Sequence, residues 1–149
     1  IIGSGTAVVE GIRSLKAARV GGQYLTLSNN ASGGFIKLLG DQAQGVIVSQ
    51  VMPASLNFGL VKEATQLAKA KGVDEVSPAM LEGFASAKVL VEGLRRAGAK
   101  PSRASLHQAL DNLGRLDLGG LVLDYSPSDH TGLDFADLSI VGTGGRFRR

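Results

Sequence analysis

The sequence contains no cysteine among its 149 residues. This absence excludes a disulfide scaffold and a thiolate metal site, although it leaves the redox compartment open. The chain also lacks any apolar run near the roughly 20 residues that a membrane-spanning helix needs. Its one dense basic block is the tail Arg146-Phe147-Arg148-Arg149, which is more typical of a solvated chain end than of a nucleic-acid site. We therefore expect a globular protein that binds no nucleic acid.

The composition is that of a packed globular chain. Apolar residues make up 44% of it, charged residues 19%, and the formal net charge is +3, which is too apolar for a disordered segment. The chain begins Ile1-Ile2-Gly3, without Met, and this start is typical of the end of a buried strand followed by a glycine turn. We therefore expect further residues upstream of Ile1, and a signal peptide would belong to that upstream part.

Residues 1–52 alternate between strand and helix patterns. A helix is predicted over 5–19, because Val8, Ile12 and Leu15 recur at spacings of four and three. The other elements predicted here are a strand at 23–27, a short helix at 35–39 and a strand at 45–52. Such alternation predicts a parallel sheet with helices on its faces.

From Pro53 onward the pattern changes. Three amphipathic helices are predicted between Pro53 and Leu113, because apolar residues recur there at helical spacing. The second helix begins at Ser77-Pro78, with Ser as N-cap and Pro in the first turn. The side chains predicted to form its buried stripe are Met80, Phe84, Ala87, Val91 and Leu94. The elements predicted after the helices are a strand at 121–125, a polar turn at 126–132 and a strand at 133–141.

A glycine turn precedes the first predicted helix. Gly3-Ser4-Gly5 follows an apolar pair, as in dinucleotide-binding folds, where N–H groups at a helix N-terminus hold a pyrophosphate. The third glycine of that motif is replaced by Val8, and the next strand does not end in the acidic residue that binds a ribose. A nucleotide site, a plain tight turn and a site for a smaller anionic or polar solute all stay open. In the last case Ser4, Gly5 and Thr6 would contact the solute.

Short polar residues follow the second predicted strand. Ser28 and Asn29 stand at its carboxyl end, which is where ligands bind in open α/β sheets. The same residue types also form ordinary turns. Ser28 and Asn29 are therefore candidate ligand-binding residues, with turn formation as the alternative.

The titratable residues form no recognisable metal or catalytic pattern. His107 and His130 lack metal-ligand spacing, so we expect His107 to be solvated on a helix flank and His130 to bond to backbone in a turn. Asp124, Asp129 and Asp134 are spaced loosely like a calcium loop, but the glutamate that closes such loops is absent. We expect Asp129 to cap its turn, and we expect no metal, no cofactor and no catalytic residue.

Four segments follow one another in a distinctive order: LEGFASAKVLVEGLRRAG, DLGGL, SPSDHTG and, after a strand, GRF. This series resembles the C-terminal portion of type I periplasmic solute-binding proteins, the branched-chain-amino-acid and extracellular ligand-binding receptor family of ABC transporters. The resemblance implies an α/β fold that is part of a two-lobe architecture, with parallel sheets flanked by helices. It places 1–52 in one lobe, 53–126 in the other, and 127–149 in the return crossover and last strands of the first.

The resemblance implies a receptor and not an enzyme. Such a receptor captures a small solute between two lobes by hinge closure and delivers it to the membrane permease of an ABC transporter, in the periplasm or anchored by lipid outside the cell. The implied solute is polar or carboxylate-bearing, an amino acid or a related organic acid. Two alternatives stay open: a fragment of a nucleotide-dependent α/β enzyme, and a ligand sensor with the same fold.

The resemblance also bears on the ligand, the partners and the hinge. In the amino-acid receptors of this family a carboxylate commonly pairs with the ligand's ammonium near the place of Ser28 or Asn29, and both residues are neutral here. An organic acid is therefore as well suited as an amino acid. Exposed strand edges are expected to pack against the remaining N-terminal part of the same protein, or against a second copy of the chain. The crossovers are expected side by side at Gln50–Pro53 and Ser126–Gly132.

Overall fold

The computed structural model describes residues 1–52 and 57–148. Its elements in chain order are helix α1 (Gly5–Ala17), strand β1 (Leu25–Thr26), α2 (Gly33–Leu39), β2 (Ile47–Gln50), α3 (Gly59–Ala70), α4 (Pro78–Arg96), α5 (Arg103–Asp111), β3 (Gly114–Asp117), β4 (Val122–Ser126), β5 (Asp129–Gly132), β6 (Asp137–Val141) and β7 (Phe147–Arg148). Short 3₁₀ turns lie at Ser28–Asn30, Gly40–Ala43 and Thr143–Gly145. Within the described residues, no helix combines the length and the apolar character needed to cross a membrane.

Contacts divide the chain into two compact units, which we call unit 1 and unit 2. Unit 1 consists of Ile1–Pro53, Ser77–Met80 and Phe135–Arg149. Unit 2 consists of Ala54–Val76 and Leu81–Asp134. The assignment of the chain to two receptor lobes, with the boundaries and crossovers given above, stays a prediction. One of those crossovers includes Pro53, which lies outside the described residues.

Unit 1 contains a four-stranded sheet in the order β1-β2-β6-β7. β1 and β2 run parallel, as predicted, because α2 carries the chain back between them. β6 and β7 are antiparallel to their neighbours, so the expectation of parallel pairing is wrong for this half of the sheet. The short connection between β6 and β7 permits only antiparallel pairing. β6 also begins at Asp137 rather than at residue 133. The fold class is α/β, as predicted.

The strand end predicted at Ile1-Ile2 is wrong. Ile2 is 87% exposed, and the terminal ammonium of Ile1 donates to the carbonyl of Leu25 at 2.6 Å. Residues 1–4 form no strand, although Ile1 lies beside the short strand β1.

The core of unit 1 lies between α1, α2 and the sheet. α1 buries Val8, Val9 and Ile12 on one face, which confirms the predicted spacing of Val8 and Ile12. The sheet contributes Val46 and Val48, which are fully buried. Burial of each such side chain is worth about 1.5–3 kcal/mol relative to exposure. This cluster therefore holds β1, β2 and the turns that follow them in place.

Unit 2 contains a three-stranded antiparallel sheet in the order β3-β4-β5. β4 confirms the strand predicted at 121–125 to within one residue. The turn predicted at 126–132 is wrong in extent, because Asp129–Gly132 pairs with β4 as β5. The expectation of parallel sheets also fails here, since strands joined by turns this tight can pair only antiparallel.

The buried stripe predicted for α4 is wrong. Met80, Val91 and Leu94 are exposed, Val91 by 57%. The buried positions of α4 are Leu81, Ala85 and Gly93. A Cβ at Gly93 would lie 2.7 Å from Leu110 of α5, so the absence of a side chain there lets α5 pack closely on α4. The face of α4 that packs on α5 is thus determined by a glycine. The prediction failed because it looked for large apolar side chains at helical spacing.

The turn between β3 and β4 packs on the start of α3. The carboxylate of Asp117 accepts the N–H groups of Gly119 at 2.9 Å and Gly120 at 2.7 Å. The carbonyl of Gly119 accepts the N–H of Leu60 at 3.2 Å. Gly119 has φ +90°, and a Cβ there would lie 2.8 Å from the Leu60 nitrogen. The DLGGL segment is therefore a packing element of unit 2.

We expect Gly119→Ala to lower the free energy of unfolding by about 2–4 kcal/mol, because strain at positive φ adds to a clash with backbone. The measurement is urea unfolding followed by circular dichroism. Gly72→Ala is the matched control, since Gly72 also has positive φ, +73°, but open space around its Cβ position. It should cost about 1–2 kcal/mol, the strain alone. Equal losses in the two variants would contradict a backbone contact at Gly119.

Asp129 caps the start of β5 as predicted, and this contact should make stability pH-dependent. Its Oδ1 accepts the Thr131 hydroxyl at 2.6 Å and the Thr131 N–H at 2.9 Å. These bonds, the hydroxyl first, lower the pKa of the Asp129 carboxyl. A lowered folded-state pKa gives stability that is present above the ordinary value of about 3.9 and is lost as pH falls through the folded pKa.

We therefore expect the thermal midpoint of Asp129→Asn to depend less steeply on pH than that of the unsubstituted protein, between about pH 5 and pH 2. Thermal unfolding across that range measures it. Asp124→Asn, at an exposed position on β4, controls for removal of one charge. Identical pH profiles for Asp129→Asn and Asp124→Asn would show that the Thr131 bonds contribute no pH-dependent stability.

Candidate functional site

Two polar segments meet at one end of the unit 1 sheet. One is the turn Gly3–Thr6 at the start of α1, and the other is the 3₁₀ turn Ser28–Asn30 that follows β1. The amide nitrogens of Asn29 and Asn30 each donate to the Gly3 carbonyl at 3.1 Å. The structure thus brings together the two segments that were singled out separately in the sequence.

Asn30 organises this junction. Its side chain is 1% exposed, and its Oδ1 accepts the N–H of Gly5 at 2.9 Å. Its amide nitrogen donates to the Gly3 carbonyl and, at 2.9 Å, to the hydroxyl of buried Thr26. Sequence reasoning named Asn29 and missed Asn30, because the two are chemically identical neighbours. The one available signal was the Asn-Asn pair at a strand end, and burial alone separates the two residues.

The N-terminus of α1 is open to an acceptor. Ser4 has the extended N-cap conformation, φ −138° and ψ 151°, but within the described residues its side chain makes no capping hydrogen bond. The first turn contains no acidic residue. The first N–H groups of a helix lack intrahelical partners, and they carry the positive end of the helix dipole. An anionic group fits such a position.

The five predicted site residues lie at this same end of unit 1. Ser4 and Thr6 are exposed, and Ser28 is half-buried. The Gly5 N–H is already bonded to Asn30, and the Asn29 amide nitrogen to Gly3. The hydroxyls of Ser4, Thr6 and Ser28 are therefore the side-chain groups best placed to contact a solute. Gly5 and Asn29 instead stabilise the turn through their hydrogen bonds. That these residues bind a ligand stays a prediction.

The turn does not have the features of a dinucleotide site. Val8, at the position of the third glycine, is 1% exposed within the core. A Cβ at Gly3 would lie 3.2 Å from its Cγ2. The helix therefore packs through a valine where a dinucleotide fold keeps a glycine for close approach.

The two histidines share one carboxylate in unit 2. Nδ1 of His107 on α5 lies 2.9 Å from Asp111, and Nε2 of His130 on β5 lies 3.1 Å from the other oxygen of the same carboxylate. His107 is exposed on its helix, as predicted, although it contacts Asp111. The expectation of a backbone-bonded His130 is wrong, because its side chain meets Asp111. The i,i+4 spacing of His107 and Asp111 could have revealed the first pair, but only folding brings His130 there. Among the described residues, no group of three or more metal-binding side chains is placed to hold a metal ion.

Comparison with known proteins identifies the family. Residues 1–136 match the family model described as periplasmic binding protein. The chain belongs to the periplasmic binding protein family. Among curated proteins none matches.

Solved structures agree with this family. A substrate-binding periplasmic protein from Ralstonia solanacearum is 31% identical, with a TM-score of 0.83 over 97% of this chain and 43% of its own. A possible leucine/isoleucine/valine-binding protein from Rhodopirellula baltica SH 1 is 26% identical, with a TM-score of 0.86 over 99% of this chain and 42% of its own. A branched chain amino acid ABC transporter protein from Thermus thermophilus with bound valine is 20% identical. Its TM-score is 0.70 over 95% of this chain and 41% of its own.

These comparisons establish a type I periplasmic-binding-protein fold in a chain that spans 42% of the length of the Rhodopirellula protein. The Thermus protein, at 20% identity, contributes evidence for the fold alone. The predicted resemblance is confirmed.

We expect Asn30→Leu to destabilise unit 1 by about 1–3 kcal/mol, because it removes the partner of the Gly5 N–H and of the buried Thr26 hydroxyl. Chemical unfolding measures the loss. Asn29→Leu is the matched control, since exposed Asn29 makes one of the same bonds but can be replaced at its position by water. A loss for Asn29→Leu as large as that for Asn30→Leu would contradict the organising position of Asn30.

Proposed function

We propose that this chain belongs to the solute-binding receptor of an ABC transporter. The receptor captures a small polar or carboxylate-bearing solute, an amino acid or a related organic acid, and delivers it to a membrane permease. It works in the periplasm or is held outside the cell by a lipid anchor. Closure of two lobes over the solute is part of this proposal.

The observation that carries the proposal is the open N-terminus of α1 beside the polar 3₁₀ turn. Backbone N–H groups and a helix dipole attract the carboxylate of a solute. The hydroxyls of Ser4, Thr6 and Ser28 stand around this helix end and can donate to or accept from the rest of the solute. The buried Asn30 holds the two segments together, so that these groups are positioned before the solute arrives.

The solved relatives support the solute class. The Rhodopirellula protein is described as a possible leucine/isoleucine/valine-binding protein. That name points to small molecules that carry a carboxylate. The Gly3–Thr6 and Ser28–Asn30 segments contain no acidic side chain, so they favour the acid group of the solute over its ammonium.

The test is calorimetric titration of the protein, at the full length its gene encodes, with branched-chain amino acids and with aliphatic and aromatic acids of matched size. We expect Thr6→Val and Ser28→Ala each to weaken binding of the accepted solute by about 1–3 kcal/mol, the contribution of a hydrogen bond to a charged group. Thr143→Val, at an exposed threonine of unit 1, is the control and should leave affinity unchanged.

Two results would contradict the proposal at different levels. Failure of all these solutes to bind the unsubstituted protein would exclude the solute class. Binding that is unaffected by both Thr6→Val and Ser28→Ala would leave the receptor function standing but would show that these hydroxyls are ordinary turn formers.

A further inference from the structure

Gln50, the last residue of β2, is an unusual buried side chain. It is 1% exposed, and among the described residues neither its amide oxygen nor its amide nitrogen has a hydrogen-bond partner. A buried amide group without partners costs about 1–3 kcal/mol. Native proteins therefore satisfy nearly all such groups, with protein, water or ligand.

The register of the sheet shows where this amide lies. β1 and β2 pair Thr26 with Val48, and β2 and β6 pair Val48 with Ser139. These three side chains are buried on the core face of the unit 1 sheet. Residues two positions apart along a strand face the same side, so Gln50 lies on this face, one step closer to the carboxyl end of β2.

The row that contains Gln50 is polar. Asp137 of β6 stands directly opposite Gln50, and directly opposed residues present their side chains to the same face. β1 ends at Thr26, and Ser28 begins the 3₁₀ turn that follows it; this turn contacts β2. In the strand order β1-β2-β6, Gln50 therefore has Asp137 on one side and the turn with the predicted site residue Ser28 on the other.

We propose that Gln50 contacts the bound solute at the carboxyl end of β2, where Gln50 lies opposite Asp137. The inference rests on the proposed receptor function. The amide nitrogen would donate to an acceptor of the solute and the amide oxygen would accept from a donor, because a primary amide offers both. This narrows the solute class to molecules that carry an acceptor and a donor on adjacent atoms, as α-amino acids and 2-hydroxy acids do. A 2-oxo acid supplies acceptors alone.

Asp137 already accepts the Leu138 N–H at 2.8 Å through its Oδ1. Its negative charge, on the same face as Gln50, acts in the same direction as the Gln50 amide. A carboxylate in this row favours a solute group that donates a hydrogen bond or carries positive charge. It disfavours a second acceptor there. Gln50 and Asp137 together thus favour a solute that carries a hydrogen-bond donor. The hydroxyls around α1 have no such preference, because a hydroxyl can both donate and accept.

The experiment compares three isosteric probes: L-valine, 2-hydroxy-3-methylbutanoate and 3-methyl-2-oxobutanoate. Each is titrated calorimetrically into the unsubstituted protein and into Gln50→Met, at the full length the gene encodes. Met has nearly the shape of Gln without its polar atoms, so removing two unpartnered groups should leave the ligand-free thermal midpoint unchanged or raise it. Gln44→Met, at an exposed glutamine of unit 1, is the control.

We expect the unsubstituted protein to bind valine or the hydroxy acid at least tenfold more tightly than the oxo acid. Gln50→Met should weaken binding of the preferred probe by about tenfold, equivalent to one hydrogen bond of ~1.4 kcal/mol. The difference in affinity between that probe and the oxo acid should therefore become smaller. If Gln50→Met does not fold, Gln50→Glu keeps the shape and the oxygen, and it should lose the preferred probe through the lost N–H donor.

Other outcomes overturn the inference. Unchanged affinity in Gln50→Met would mean that the amide bonds to a structural water. A lower ligand-free midpoint would mean that it has a partner within the fold. Tightest binding of the oxo acid would refute the donor requirement while leaving the receptor function intact. Binding of none of the three probes by the unsubstituted protein overturns the inference, and the broader solute panel then decides the receptor function separately.

Discussion

The hydrogen bonds of one buried side chain hold the candidate site of unit 1 together. Asn30 accepts the Gly5 N–H, donates to the Gly3 carbonyl and donates to Thr26. A single primary amide thus joins a sheet strand, the turn after it and the start of α1. Because the Asn30 side chain and Thr26 are buried, the bonds of this amide are expensive to lose. The open end of α1 can face a solute only while this junction is intact.

The two units stabilise their sheets by different means. Unit 1 packs α1 and α2 on strands whose residues, such as Val46 and Val48, are fully buried. Unit 2 also buries apolar side chains, such as Leu121 and Leu123, and adds close contacts at two glycines: Gly119 packs against the backbone of Leu60, and Gly93 packs against Leu110. His107 of α5 and His130 of β5 both contact the carboxylate of Asp111 near the surface. Exposed ion pairs are worth little, so the glycine contacts matter more for the fold of unit 2.

Family membership and chemistry are separate questions for this chain. The family follows from the match over residues 1–136 and from solved structures that cover nearly all of the chain. In our proposal the solute class depends on a few polar groups at the carboxyl ends of β1 and β2. Among these, Gln50 stands apart because its buried amide has no hydrogen-bond partner among the described residues, which is costly. A site designed around such a group gains selectivity, since a solute that leaves the amide unpaired is penalised.

The sequence alone indicated the family, through the resemblance of its ordered segments to known receptors. It also determined the α/β class, the helix at α1 and the polar segments at strand ends, because local spacing and turn chemistry encode these features. Only tertiary structure decided which of two adjacent asparagines is buried, which face of α4 packs, and that His130 reaches Asp111. It also decided that Gln50 is enclosed with no hydrogen-bond partner in the part of the chain that the structure describes. These outcomes depend on residues distant in sequence, such as Gly3 with Asn30 and Gly93 with Leu110. The spacing of apolar residues describes one helix or strand at a time, whereas the burial of a side chain depends on the other elements that pack against it.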